Sequence, residues 1–122
     1  MMKLLLVDDY AFLRDMYALK FKESGYEVEV ADGPTAALHA IEKESKFDAI
    51  LLDMIMPSMG GVELIKEIQT QFPDVKAKFI VLSNQGQPED IDQAMKSGAA
   101  GYIIKAEAVP SDVVKKIKEI CR

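Results

Sequence analysis

The chain has 122 residues, of which 49% are hydrophobic and 29% charged, the size and balance of one compact globular domain. A formal net charge of -5 gives no concentrated Lys and Arg surface, so we expect no direct nucleic-acid binding. The apolar runs are far shorter than the roughly 20 residues that cross a bilayer, and the single cysteine, Cys121, has no partner for an internal disulfide. We expect a soluble cytoplasmic protein without membrane contact, residues 1–122 forming one domain and no output domain in this chain.

Five short apolar runs predict β-strands. They are Leu4–Val7, Val28–Val30, Ala49–Leu52, Phe79–Leu82 and Tyr102–Ile104. Four of them are nearly continuous hydrophobic runs, as strands covered on both faces should be, whereas the second alternates with Glu29 and belongs near an edge. The sequence therefore predicts a sheet core made of the first, third, fourth and fifth strands.

A segment with helical spacing of apolar residues follows each strand. Pro34 and Pro88 suit the first turns of the second and fourth helices, Gly25 and Gly98 suit helix ends, and Pro73 prevents the third helix from continuing. Alternating strands and helices predict an α/β fold with a five-stranded parallel sheet and five helices.

Polar side chains stand directly after four of the predicted strands: Asp8-Asp9, Asp53, Ser83 and Lys105. In an open parallel sheet the carboxyl ends of the strands form the binding edge. Three carboxylates at one place repel each other unless a cation compensates them. An all-oxygen ligand set without His or Cys favours Mg²⁺, with calcium or manganese as alternatives. This combination predicts a phosphoryl-acceptor site that works by positioning and electrostatics.

These residues carry a family resemblance. The Asp8-Asp9 pair, the segment from Asp53 to Gly61, Ser83, and the segment from Gly98 to Lys105 resemble response regulator receiver domains in order and spacing. The resemblance covers essentially the whole chain. It implies a doubly wound, flavodoxin-like sheet of strand order 2-1-3-4-5. It also implies that a histidine kinase or phosphotransfer protein donates a phosphoryl group to Asp53.

The resemblance further implies the role of each residue around Mg²⁺. Asp9, Asp53 and the main-chain carbonyl of Ile55 would bind the ion directly, and Asp8 would reach it mainly through water. Such a protein catalyses only its own aspartyl phosphorylation and dephosphorylation.

The resemblance also implies how a signal leaves the site. Lys105 and Ser83 would hold the phosphoryl oxygens, and Ser83 and Tyr102 would form the switch that reshapes the face of helix four, strand five and helix five. That face would meet a downstream protein, as yet unknown, and a dimer formed on phosphorylation is also compatible with it.

Four positions limit how far the family pattern can be carried over. Lys105 is followed by Ala106 where a proline with a cis peptide bond is common, so the bond is either trans or strained. Asn84 replaces a usually small residue and would narrow access to the phosphoryl group. Ile55 and Gln85 occupy positions that tune dephosphorylation, and an apolar Ile55 cannot orient a water by hydrogen bonding, which predicts a long-lived phosphoryl state.

Other interpretations remain at this stage. Asp8-Asp9 alone suits a helix cap, and Tyr102 suits plain core packing. A haloacid dehalogenase-type phosphatase would need a second aspartate where Ile55 stands, and a flavin carrier would need a phosphate-cradling loop where Asp8-Asp9 would repel it. A receiver that binds partners without being phosphorylated is the main alternative. The chain is either a stand-alone receiver or one excised from a larger regulator.

Overall fold

The computed structural model describes residues 2–44 and 46–122, which form five strands, five α-helices and one 3₁₀ turn. The strands are β1 (Lys3–Val7), β2 (Glu27–Ala31), β3 (Ala49–Leu52), β4 (Lys78–Ser83) and β5 (Ala99–Ile104). The helices are α1 (Ala11–Glu23), α2 (Pro34–Lys43), α3 (Gly61–Gln71), α4 (Pro88–Ser97) and α5 (Pro110–Ile120), and the 3₁₀ turn is Lys105–Glu107.

The sheet is parallel throughout, with strand order β2-β1-β3-β4-β5. One hydrophobic cluster joins the sheet to α1 and α5, and a second joins its other face to α2, α3 and α4. Successive residues of β1 alternate between the clusters, Leu4 in the first and Leu5 in the second, because side chains of a strand point to opposite faces. The predicted doubly wound α/β fold and its strand order are confirmed.

One edge strand of the sheet is as the apolar runs predicted, and the other is not. β2 is an edge strand, as its alternating sequence predicts. β5 is the other edge, as the strand order implied by the resemblance has it, and not part of the sheet core that the apolar runs predicted. β5 is apolar because helices cover it, not because strands flank it on both sides. It begins at Ala99, earlier than predicted, in a run of small residues. A Cβ on Gly101 would lie 2.5 Å from the Ile120 side chain, so this run lets α5 pack closely against the strand.

The helices begin and end near the proline and glycine residues that predicted their boundaries. Pro34 and Pro88 stand in the first turns of α2 and α4. Gly98 ends α4 in the left-handed region at φ 117°, where glycine carries no steric penalty. α3 ends at Gln71, before Pro73. Among the described residues, no helix is long and apolar enough to cross a membrane.

Candidate functional site

Side chains from four separate strand ends meet at the carboxyl edge of the sheet. The Lys105 Nζ lies 2.8 Å from Asp8 Oδ2 and 3.0 Å from Asp53 Oδ2, so it bridges the two carboxylates. The Ser83 hydroxyl, from the last residue of β4, donates a 2.7 Å hydrogen bond to Asp53 Oδ1. The structure therefore brings together four of the residues that the sequence singles out.

Lys105 is held at the site by the turn that follows β5. The chain enters the 3₁₀ turn at Lys105, and the peptide bond to Ala106 is trans, which answers the question that the missing proline raised. Only 7% of the Lys105 side chain is exposed. Burial opposes the charged ammonium and lowers its pKa, but hydrogen bonds and charge from Asp8 and Asp53 together outweigh burial, so the pKa is raised above its ordinary value.

Every polar atom of Asp8 has a partner. Its N–H donates to the Ala31 carbonyl at 3.1 Å, and its Oδ1 accepts the Tyr10 N–H at 2.9 Å. Its Oδ2 accepts the ammonium of Lys105, and its carbonyl accepts Nη1 of Arg14 at 3.2 Å. Tyr10 is the N-cap residue of α1, and no side-chain cap bond forms there. The simple helix-cap interpretation of Asp8 is therefore insufficient, because its carboxylate also faces the site.

The loop after β3 packs closely against the start of α3. A Cβ on Gly61 would lie 2.4 Å from the Asp53 carbonyl oxygen, and one on Gly60 would lie 2.8 Å from the Met54 carbonyl oxygen. The Gly61 N–H donates to the Met54 carbonyl at 3.0 Å and closes the loop. Ile55 is exposed, and its N–H donates to Asp53 Oδ1 at 3.2 Å. The two glycines thus permit the backbone approach that fixes the Asp53 main chain.

Asp9 is placed differently from Asp8 and Asp53. It is exposed and lines a neighbouring cleft of about 250 Å³ that also includes Asp32 and Ser58. Among residues 2–44 and 46–122, no three His, Cys, Asp or Glu side chains come close enough together to hold a metal ion. In this arrangement the Lys105 ammonium lies between the two inner carboxylates and offsets part of their charge.

The donor chemistry nevertheless fits Mg²⁺. Carboxylate oxygens are hard ligands that suit this ion, and each carboxylate has about four lone-pair positions. Asp53 uses three of these on Ser83, Ile55 and Lys105, and Asp8 uses two on Tyr10 and Lys105. Both residues retain acceptor capacity, and Asp9 is adjacent to Asp8 in the chain.

A short chain of hydrogen bonds joins Ser83 to Tyr102. The Gln85 N–H donates to Ser83 Oγ at 3.2 Å, and the Tyr102 hydroxyl donates to the Gln85 carbonyl. Tyr102 is partly buried against the cluster on the α2, α3 and α4 face of the sheet, and burial raises its pKa. Its hydroxyl is thus satisfied, as core packing requires, and is also connected to the segment that follows Ser83.

Sequence reasoning did not single out Arg14. Its guanidinium reaches back from α1 to the Asp8 carbonyl, although six positions separate the two residues. The positive charge of Arg14 was the one signal in the sequence that pointed to it. The helix dipole disfavours a cation near the N-terminus of a helix, and α1 has no acidic residue in its first turn.

Comparison with known proteins decides the family. The model for the response regulator receiver domain matches residues 4–118. The chain is a response regulator receiver domain. This two-component signalling domain is a signalling module rather than a classical enzyme, which leaves the phosphatase and flavin-carrier interpretations without support.

Known proteins are similar to it over nearly its full length. The chain is 38% identical to chemotaxis protein CheY of Thermotoga maritima, with 98% of each covered. It is 33% identical to the phosphate regulon transcriptional regulatory protein PhoB of Pseudomonas aeruginosa, of which it spans 51%. The structure of chemotaxis protein CheY4 of Vibrio cholerae superposes with a TM-score of 0.90 at 31% identity, with 98% of each chain covered. The receiver domain described here is thus CheY-like in sequence and fold.

Proposed function

We propose that this receiver domain accepts a phosphoryl group on Asp53 from a histidine kinase or a phosphotransfer protein. The observation that carries the proposal is the contact set of Asp53, whose two oxygens accept Ser83 on one side and Lys105 on the other. With 15% of its side chain exposed, Asp53 is open to a donor, whereas Asp8 behind it is 3% exposed.

The transfer forms one bond and breaks another at phosphorus. A carboxylate oxygen of Asp53 attacks the phosphorus atom, and the bond from phosphorus to the donor nitrogen, or to the donor oxygen of a small acyl phosphate, breaks. The donor leaves with the electron pair of that bond. Lys105 moves from bridging two carboxylates to holding phosphoryl oxygens, and Ser83 donates its hydroxyl to them.

A divalent cation completes this proposal. Asp9, Asp53 and the carbonyl of Ile55 would hold Mg²⁺, with Asp8 behind them through water. Bound there, the ion supplies charge neutralisation between the carboxylates and the incoming phosphoryl group. The spare lone pairs of Asp8 and Asp53 support this assignment, and it requires Asp9 to turn inward from its exposed position.

The output step rests on the chain from Ser83 to Tyr102. Drawing the Ser83 hydroxyl toward a phosphoryl group would remove the acceptor of the Gln85 N–H, and the Gln85 carbonyl holds the Tyr102 hydroxyl. This coupling biases the face formed by α4, β5 and α5, which we propose as the surface for a downstream protein or for a phosphorylation-linked dimer.

The test is intact mass after incubation with acetyl phosphate and Mg²⁺. The expected result is one added phosphoryl group that requires Mg²⁺ and is absent from Asp53→Asn. Asp74→Asn is the matched control, since it removes the same charge at an exposed loop position between α3 and β4. Circular dichroism of all three proteins shows whether each retains the fold.

A folded native chain that gains no mass from acetyl phosphate, and none from a phosphorylated histidine kinase, would overturn the proposal. It would favour a phosphorylation-independent protein-binding module, for which the exposed Asp9 and the lysine-compensated carboxylates are the supporting observations. Mass gain from the kinase alone would indicate that access, narrowed by the exposed Asn84, selects the donor.

A further inference from the structure

Arg14 is a largely buried cation next to the acidic end of β1. The residue belongs to α1, and its side chain is 18% exposed. Its guanidinium does not form a close ion pair: the nearest carboxylate is that of Asp15, with Oδ1 3.8 Å from Nε. Instead, Nη1 donates to the main-chain carbonyl of Asp8 at 3.2 Å. A charged donor is therefore directed at a backbone atom of the site.

The carbonyl that Arg14 holds belongs to the peptide unit between Asp8 and Asp9. The preceding peptide unit is tied to β2, because the Asp8 N–H donates to the Ala31 carbonyl at 3.1 Å. With the preceding peptide unit already held, the Arg14 hydrogen bond restricts rotation of the peptide unit that links the buried Asp8 to the exposed Asp9. The direction in which Asp9 leaves the sheet depends on this peptide unit.

Arg14 is unfavourably placed for a residue that only stabilises the fold. Within the part of the chain that the structure describes, the Arg14 Nε is buried without a hydrogen-bond partner. A buried, unpaired donor on a charged group is unfavourable, and so is a cation near the start of a helix. A role in positioning the acidic loop explains why an arginine is present there despite both costs.

We propose that Arg14 is a positioning residue that sets the affinity of this site for divalent cations by fixing the Asp8-Asp9 peptide unit. The inference rests on the proposed function, because it assumes that Asp9 and Asp53 hold the ion. Arg14 contacts the Asp8 carbonyl and is not itself one of the proposed ligands of the ion. Residues that orient metal ligands without binding the metal typically change metal affinity by 10- to 100-fold when they are replaced.

The direction in which Mg²⁺ affinity changes when Arg14 is replaced separates a positioning role from a simple effect of its charge. A nearby positive charge repels Mg²⁺, so if charge alone mattered, Arg14→Gln would bind Mg²⁺ more tightly and Arg14→Lys would bind it as the native chain does. If positioning matters, both variants bind Mg²⁺ more weakly, because neither presents the guanidinium donor to the Asp8 carbonyl. Lys22→Gln is the matched control, since it removes one exposed positive charge from the same helix.

The experiment is calorimetric titration of MgCl₂ into the unphosphorylated full chain, native and with each replacement. We expect about tenfold weaker binding in both Arg14 variants and unchanged binding in Lys22→Gln. The Mg²⁺ concentration for half-maximal labelling by acetyl phosphate should rise by the same factor, with the rate at saturating Mg²⁺ unchanged. Amide hydrogen exchange at Tyr10, whose N–H donates to Asp8 Oδ1, should quicken in both Arg14 variants.

Unchanged or tighter Mg²⁺ binding by Arg14→Gln would overturn the inference, as would native-like binding by Arg14→Lys. If Arg14→Gln does not fold, Arg14→Lys alone decides the question. A native chain that binds no Mg²⁺ would instead refute the proposed function. The two failures are therefore distinguishable.

Discussion

Replacing Lys105 by Met should destabilise the metal-free fold. Lys105 is 7% exposed, and its ammonium is the cation that bridges Asp8 and Asp53, which are 3% and 15% exposed. Removing one partner of a buried pair costs about 3–5 kcal/mol because a buried charge is left uncompensated. Partial exposure of Asp53 lets water hydrate it, so we expect the lower end, about 3 kcal/mol.

The assay is urea unfolding followed by circular dichroism in the presence of a chelator. With a slope of about 2 kcal/mol per molar, a loss of about 3 kcal/mol lowers the midpoint by about 1.5 M. Adding Asp53→Asn to Lys105→Met should recover part of the loss, because it removes one of the two carboxylates that repel each other. Saturating Mg²⁺ should also raise the midpoint of Lys105→Met more than that of the native chain.

Two results would refute this reasoning. An unchanged midpoint for Lys105→Met would mean that the ion pairs contribute nothing net, as is common for exposed pairs. A double variant no more stable than Lys105→Met would mean that the loss comes from packing of the lysine stem rather than from uncompensated charge.

Three further outcomes are expected. The stability difference between the native chain and Lys105→Met should persist up to the ordinary lysine pKa of 10.5 and shrink only above it. Because the pKa of Lys105 is raised in the folded state, the stabilisation by its charge is complete below the ordinary pKa and is lost only at higher pH. Urea unfolding midpoints measured across alkaline pH test this expectation. Gly61→Ala should cost about 1–3 kcal/mol and slow phosphorylation, because its Cβ would overlap the Asp53 carbonyl, whereas Gly33→Ala, with nothing within 4 Å, should leave phosphorylation unchanged. The aspartyl phosphate should outlast seconds after donor removal and decay faster in Ile55→Asn, which can orient a water; loss of phosphate within seconds in the native chain contradicts this.

The sequence predicted the inner part of the site because strand ends are easy to recognise. The apolar runs before Asp8, Asp53 and Lys105 end where the polar residue begins, and parallel strands bring those ends to one edge. Ser83 lies within β4 rather than after it, but at the same edge. The site location therefore depends only on strand order and direction, both of which the alternation of strands and helices and the family resemblance predicted.

The rest depends on contacts that no local pattern encodes. The apolar runs alone wrongly placed β5 in the sheet core, although the strand order implied by the family resemblance puts it at an edge. An edge strand packed against helices can be as apolar as a central one. The exposed position of Asp9 depends on the peptide unit after Asp8. Arg14 acts on that peptide unit through a hydrogen bond from its guanidinium to a backbone carbonyl. Neither side-chain periodicity nor charge spacing reports such a contact.

The contact between Lys105 and Asp8 joins residues 97 positions apart, and that between Lys105 and Asp53 joins residues 52 apart. On a ribosome, Asp53 therefore emerges long before the lysine that completes its surroundings. Because Lys105 directly follows β5, a nascent chain that ends before residue 105 lacks the full set of site contacts. Under the proposed function, the ability to receive a phosphoryl group would then arise only in a chain synthesised through Lys105.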